Sequence, residues 1–178
     1  RQDGRSASLT APNGQAQQGL LAAALADASA AADELALSEA HGTGTALGDP
    51  IEMGSLASAV LTTRETPLAV GGVKANIGHA EPAAGMTGLL KLTLGLRRVE
   101  AVPNAQLRVL NPHLCWSLRG SRCALAVQPT TLRVASGAGG VSSFGYSGTL
   151  AHMLLQQPSQ LSFTTLLDVP ALCTSKGH

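Results

Sequence analysis

His41 and His79 lie in two stretches of the same form, each a short apolar run, then a polar, glycine-rich turn carrying the histidine, then a helix-like pattern. The first stretch reads Glu39-Ala-His41-Gly-Thr43-Gly-Thr45-Ala-Leu-Gly-Asp49-Pro50-Ile-Glu52, and the second Gly71-Gly-Val-Lys74-Ala-Asn76-Ile-Gly-His79-Ala-Glu81. An imidazole on a loop at a strand end is held by its scaffold yet stays accessible, and it can donate, accept or ionise near neutral pH. Two such rings in polar, glycine-rich settings point to a paired active site. The spacing alone names no reaction.

Two strand-then-helix units are needed to position these residues. Leu35 to Ser38 and Leu68 to Val73 are short apolar runs suited to buried strands, delivering Glu39 and His41 in one case and Lys74 in the other. Asn13 can cap a helix with Ala16, Leu20, Leu21, Ala24, Leu25 and Ala28 on its apolar face. Pro50 suits the first turn of a second helix and Pro82 that of a third. Met86, Leu89, Leu90, Leu92, Leu96 and Val99 crowd that third helix with apolar residues, as expected for burial on more than one side. Gly85 and Gly88 interrupt it and read as close-packing positions beneath the site. Val102 to Ser117 is expected to be loop. Arg122 to Gln128, Val141 to Ser143 and Ala151 to Gln156 are strand candidates, the last two forming a hairpin. Alternating strands and helices predict a layered α/β fold with a mixed, largely parallel sheet and packed helices.

Composition narrows the function classes. The 178 residues carry 12 Lys and Arg against 11 Asp and Glu, without a long basic run, and only four aromatic residues. Nucleic-acid binding is therefore not expected. No stretch has the eighteen uncharged apolar residues of a transmembrane helix. Cys115, Cys123 and Cys173 are too scattered for a zinc cluster or disulfide framework, which fits a cytoplasmic or organelle-stromal setting. His41 and His79 are not spaced as metal ligands, so no metal and no directly bound cofactor are expected. Gly42-Thr-Gly-Thr lacks the Gly-Lys-Ser/Thr ending of a phosphate-binding loop. With charged residues at only 13%, the chain is suited to burying surface against a partner. Arg1 is not methionine, and an upstream stretch is expected.

The two histidine stretches, with Ala83-Ala84-Gly85 after the second, resemble the second half of a β-ketoacyl synthase. More narrowly they are similar to the ketosynthase domain of a type I polyketide synthase. Two further blocks agree, Gln2-Asp3-Gly4-Arg5 through Thr10-Ala-Pro12-Asn13-Gly14 and Gly140-Val-Ser-Ser-Phe144-Gly-x-Ser-Gly-Thr149-x-Ala-His152. The resemblance spans residues 1–157 as one half-domain and leaves 158–178 as a tail of unassigned role. It implies the thiolase-like fold, second half only, and a decarboxylative Claisen condensation between a malonyl-type extender and an enzyme-bound acyl thioester.

The resemblance also implies roles. His41 and His79 match the two catalytic histidines, Lys74 the active-site lysine, and Glu81 an acid expected to pair with Lys74 and orient His79. Phe144, followed by Gly145, matches a residue that contributes a backbone N–H to the oxyanion hole and a ring that gates the acyl channel. Thr43 and Thr45 are expected along the pocket, Asn76 in turn support, and Asp49 and Glu52 at the free N–H groups of a helix. His152 is expected to be structural. The family's nucleophilic cysteine belongs to the first half, so an N-terminal half or a protein replacing it is implied as partner. An acyl carrier protein bearing substrate on phosphopantetheine, and a ketosynthase-type homodimer or larger assembly, are implied as well. Leu150 departs from the family's usual asparagine. With the missing nucleophile, it leaves open an inactive, structural ketosynthase-derived subunit.

Overall fold

The structure, a computed structural model, describes residues 1–4, 11–105, 107–132 and 137–157. Arg5, Thr10, Cys173 and the tail 158–178 lie outside the described residues. Helix α1 (Gly14–Asp27) starts where Asn13 accepts the Ala16 N–H at 3.1 Å, the expected N-cap. Strand β1 (Leu35–Glu39) is buried along its whole length and leads to the His41 loop. Helix α2 (Gly48–Leu56) follows and continues through a π-turn over Ala57–Leu61. Strand β2 (Leu68–Gly71) and the single turn α3 (Lys74–Ile77) form the second unit, and α4 (Ala84–Arg98) completes it. Pro82 opens a 3₁₀ turn over Glu81–Ala83, so the helix proper begins two residues later than the proline suggests.

Downstream come β3 (Glu100–Ala101), α5 (Pro112–Leu118), β4 (Cys123–Leu125), β5 (Thr130–Thr131), β6 (Ala138–Phe144) and β7 (Leu150–Gln156). The helix α5 corrects the expectation of a loop over Val102 to Ser117. Asn111 accepts the His113 N–H at 3.0 Å and Pro112 takes the first helical position, so Asn-Pro here starts a helix rather than marking a turn. The strand expected over Arg122 to Gln128 is confined to β4.

Five strands form one sheet in the order β4-β2-β1-β6-β7. All neighbours are parallel except the β6–β7 hairpin, giving the expected mixed, largely parallel sheet. One face packs Leu35, Leu68, Val70 and Ala138 against Leu21, Met53, Leu56 and Leu114 of α1, α2 and α5. The other packs Leu37, Ala69 and Val141 against Leu92 and Leu96 of α4. Leu35 and Leu37 take opposite faces because the β1–β6 register shifts between them.

The parallel strands β1 and β2 end side by side, which brings the two histidine loops together. Ala40 N–H donates to Gly71 O at 2.8 Å just past their ends. Close packing depends on glycines: a Cβ at Gly85 would lie 2.9 Å from Ser143 Oγ, and one at Gly139 would lie 2.7 Å from Leu92 Cδ1 and 2.9 Å from Leu37 O. Gly139→Ala is expected to cost about 1–3 kcal/mol, because the backbone of β1 cannot retreat. A lowered urea midpoint at unchanged slope checks this.

The outer face of α4 differs from expectation. Met86, Leu90 and Leu94 stand 60%, 57% and 48% exposed at four-residue spacing. The helix is buried on its sheet side only, and its apolar outer stripe is uncovered in this chain. Among the described residues no helix is long and apolar enough to cross a membrane.

Candidate active site

His41 and His79 are brought together. Their ring centroids are 5.9 Å apart at an interplanar angle of 84°, edge to face, and the Phe144 ring lies 5.5 Å from His41. All three border a cavity of about 870 Å³, together with Thr43, Thr45, Glu81 and Gly145. A second cavity, of about 570 Å³, shares Thr43, Glu52 and His79 with it and extends to Asp49, Lys74 and Asn104. Cys115 and Cys123 border neither cavity, and burial pushes the Cys123 thiol up to about 11. Among the described residues no group of acids, histidines and cysteines could hold a metal ion.

Backbone donors fix both imidazoles. The Glu81 N–H donates to His79 Nδ1 at 2.8 Å, and the Phe144 N–H donates to His41 Nδ1 at 3.3 Å. A ring nitrogen that accepts an N–H carries no proton, so in each ring the proton sits on Nε2. His41 titrates at about 4, lowered first by burial and then by the charges of Lys74 and His79, so its ring is neutral at pH 7. The site therefore presents two ring Nε2–H donors along one cavity. Such donors suit an oxygen that gains negative charge during a reaction.

The Glu81 N–H reaches back to His79 across Ala80, whose φ of −79° and ψ of 15° turn the chain. Glu81 itself adopts φ 45°, in the left-handed region that a non-glycine residue seldom occupies. Gly78, at φ 79°, makes the preceding turn. The Phe144 N–H is directed at His41 Nδ1 in this structure, a position that fixes the ring's tautomer. The following Gly145 N–H donates to Thr149 O at 2.7 Å and closes the β6–β7 turn.

The expected Lys74–Glu81 pair is not formed. Glu81 is exposed, whereas the Lys74 ammonium donates to the His41 carbonyl and stands 3.5 Å from His41 Nδ1. Burial lowers the Lys74 pKa, opposed by the carboxylates of Glu52 and Glu39. Lys74 thus braces His41 rather than His79, and its acidic neighbours come from α2 and β1.

Glu52 and Asp49 hold the loop, not the helix start. The Glu52 carboxylate accepts the His41 N–H at 2.7 Å and the Gly42 N–H at 2.9 Å, and Asp49 accepts the Gly44 N–H at 3.0 Å. Gly42 and Gly44 have φ of 50° and 74°, which lets the loop turn its N–H groups toward these acids. Burial raises the Asp49 pKa and pushes that of Glu52 to about 7, despite the N–H groups that favour the carboxylate. Thr43 Oγ1 meets Thr45 Oγ1 at 3.3 Å, and Thr45 Oγ1 accepts the Gly48 N–H. Asn76 donates to Pro103 O at 3.2 Å and borders neither cavity, so it ties α3 to the next loop. His152 meets Ser142 Oγ at 2.9 Å within the hairpin, away from the other two histidines.

One pair went unread in the sequence. Glu39 is 1% exposed, and its Oε2 accepts Lys91 Nζ at 2.6 Å while Oε1 accepts the Val73 N–H. Lys91 is the one charge in the apolar run from Ala84 to Leu96, a signal that it needs a buried partner.

Comparison with known proteins shows the family. Residues 1–108 match the β-ketoacyl synthase C-terminal domain. Over 161 residues the chain is 44% identical to a spectinabilin polyketide synthase system protein of Streptomyces orinoci, covering 89% of this chain and 4% of that protein. It is 40% identical over 156 residues to an erythronolide synthase of Saccharopolyspora erythraea, covering 88% and 4%. Among solved structures, the ketosynthase from module 6 of the bacillaene synthase of Bacillus subtilis superposes with a TM-score of 0.83 at 31% identity, covering 90% of this chain and 29% of that one. The layered sheet with helices on both faces is the C-terminal portion of the thiolase-like ketosynthase fold. The chain belongs to the β-ketoacyl synthase family and carries its C-terminal domain. It spans a small part of the length of these relatives, under a third of the solved ketosynthase and a few per cent of the synthases.

Proposed function

We propose that this chain forms the extender-binding half of a ketosynthase, completed by an N-terminal half that contributes the nucleophilic cysteine. The acyl chain is held as a thioester on that cysteine. A malonyl-type extender arrives on the phosphopantetheine of an acyl carrier protein and passes Thr43 and Thr45. The bond between its carboxylate carbon and α-carbon breaks, carbon dioxide leaves, and the electron pair is delocalised onto the thioester oxygen. His41 and His79 donate their Nε2 protons as hydrogen bonds to that oxygen. The α-carbon then attacks the acyl thioester, a carbon–carbon bond forms, and the cysteine leaves as thiolate.

The single observation that supports this most strongly is the fixed tautomer of both rings on one cavity wall. The exposed stripe Met86, Leu90 and Leu94 supports a second half packed across α4. The partnership is tested by acyl loading of the complete synthase, read as intact mass and peptide mass. The thioester is expected on a cysteine outside this chain, and Cys115, Cys123 and Cys173 can all be replaced by alanine without loss of loading. A stable thioester on any of these three would overturn the assignment.

Leu150 favours one alternative. Its side chain is 3% exposed and borders the larger cavity, where it offers no polar group. An inactive ketosynthase-derived subunit fits that wall, and it predicts no release of carbon dioxide from malonyl carrier protein by the complete assembly.

A further inference from the structure

We propose that Lys91 is a positioning residue: by neutralising buried Glu39 it leaves the Lys74 ammonium free to face His41 instead of turning to that carboxylate. Glu39 stands at the end of β1, at the base of both histidine loops. Its Oε1 accepts the Val73 N–H at the start of α3, and its Oε2 accepts Lys91 Nζ of α4 at 2.6 Å. Two glycines make room for this pair. A Cβ at Gly71 would lie 2.5 Å from Lys91 Nζ and 3.2 Å from Glu39 Oε2, and one at Gly88 would lie 3.3 Å from Glu39 Cγ. The fold thus reserves space for a cation at this spot.

The charges facing this region come from every element around it: Glu39 from β1, Glu52 and Asp49 from α2, Lys74 from α3, Lys91 from α4, and the two histidines from their loops. Lys74 is attracted by both Glu39 and Glu52. With Lys91 in place, Glu39 has its own partner, and Lys74 stays on the His41 carbonyl beside His41 Nδ1. Without Lys91, a buried carboxylate without its counter-ion is the strongest nearby attraction for Lys74. Lys74 would then leave His41, whose ring would lose a neighbouring positive charge and protonate more readily.

The consequence is an asymmetry carried by Lys74. It should vanish in a Lys74→Met background, where a His41 shift that persisted through direct loss of the Lys91 charge would overturn the proposal. Lys91→Met should raise the His41 titration midpoint, whereas Glu39→Gln should leave it in place or lower it, because the attraction competing for Lys74 is gone. The readout is the pH dependence of His41 modification by diethyl pyrocarbonate, followed by peptide mass spectrometry in the complete ketosynthase. Only the neutral ring reacts, and the measurement needs no catalytic activity. A second readout, the pH profile of malonyl decarboxylation, rests on the ketosynthase reading. The expected result is a midpoint at least about half a pH unit higher in Lys91→Met, an unraised one in Glu39→Gln, and a wild-type one in Lys91→Arg. In the decarboxylation profile the acid limb should move by the same amount, with kcat reduced more than KM is changed. A Lys91→Met chain too unstable to titrate is replaced by the double variant with Glu39→Gln, expected at the wild-type midpoint. An unshifted midpoint in Lys91→Met, equal shifts in both single variants, or a raised midpoint in the double variant would each overturn the proposal. If titrations shift as expected but no variant or wild-type protein releases carbon dioxide, the positioning role stands and the ketosynthase reading fails.

Discussion

Replacing either His41 or His79 by alanine in the complete ketosynthase is expected to lower the rate of malonyl decarboxylation by about 10²–10³-fold, the usual effect of deleting one oxyanion donor. Both rings hold their Nδ1 against a backbone N–H, so each contributes one Nε2 donor and neither substitutes for the other. The loss should fall on kcat more than on KM, because the extender oxygen carries its full charge only as carbon dioxide departs. Acyl loading, which needs only the thiolate and its surroundings, should be affected far less. Above about pH 5 the wild-type rate should not follow His41 ionisation, since that ring is already neutral there. Measuring carbon dioxide release alongside acyl loading in the same preparations separates the two steps. Wild-type release by both variants would contradict the donor role.

The second large effect concerns the loop that carries His41. Glu52 is buried and accepts two backbone N–H groups, from His41 and Gly42. Glu52→Gln keeps the shape but offers one acceptor oxygen where two were used, leaving one N–H facing an amide NH₂. The expected cost is about 1–3 kcal/mol of stability. Glu52→Ala strands both N–H groups and should cost more. The pH dependence has a definite sign. Burial raises the Glu52 pKa from its ordinary 4.5 to about 7, so the folded protein binds this proton more tightly than the unfolded chain does. The stability it contributes is complete below about pH 4.5 and is lost as pH rises through about 7. Glu52→Gln lacks that dependence, so its deficit against wild type should be largest near pH 5 and shrink toward pH 8. Urea unfolding at a series of pH values checks this, and a deficit that grows with pH would contradict a raised Glu52 pKa.

The positions of His41 and His79 were legible because their environment is local. Apolar runs end at Ser38 and at Val73, and glycines follow at once. Parallel strands that end side by side then bring the loops together without any long-range information. The partners of the charges were not legible. Glu81 is two residues from His79 and looked available to Lys74, but its backbone N–H is turned back to His79 and its side chain is exposed to solvent. The acid that answers Lys91 lies 52 residues away, across a strand–helix contact that no local pattern reveals. Asp49 and Glu52 were expected at the free N–H groups of a helix. Positive-φ glycines at 42 and 44 turn the loop's own N–H groups toward them instead.

Helix periodicity was equally informative and equally incomplete. The near-continuous apolar pattern of α4 predicted burial on more than one side, and within this chain only the sheet side is covered. Leu92 is fully buried while Met86, Leu90 and Leu94 face outward. Hydrophobic spacing states which surfaces avoid water, and it does not state which chain covers them. At α5, Asn111-Pro112 carried both a cap and a first-turn proline, and either reading of that pair, turn or helix start, is compatible with the residues alone.

If His41 and His79 together receive one developing negative charge, a structure of the complete ketosynthase with an unreactive malonyl-pantetheine amide bound should show it. The amide oxygen is expected at hydrogen-bond distance, about 3 Å, from Nε2 of both rings, with Nδ1 of each still held by the backbone N–H of Phe144 or Glu81. An amide oxygen that meets neither ring, or rings whose Nε2 atoms are bonded to the protein itself, would contradict it.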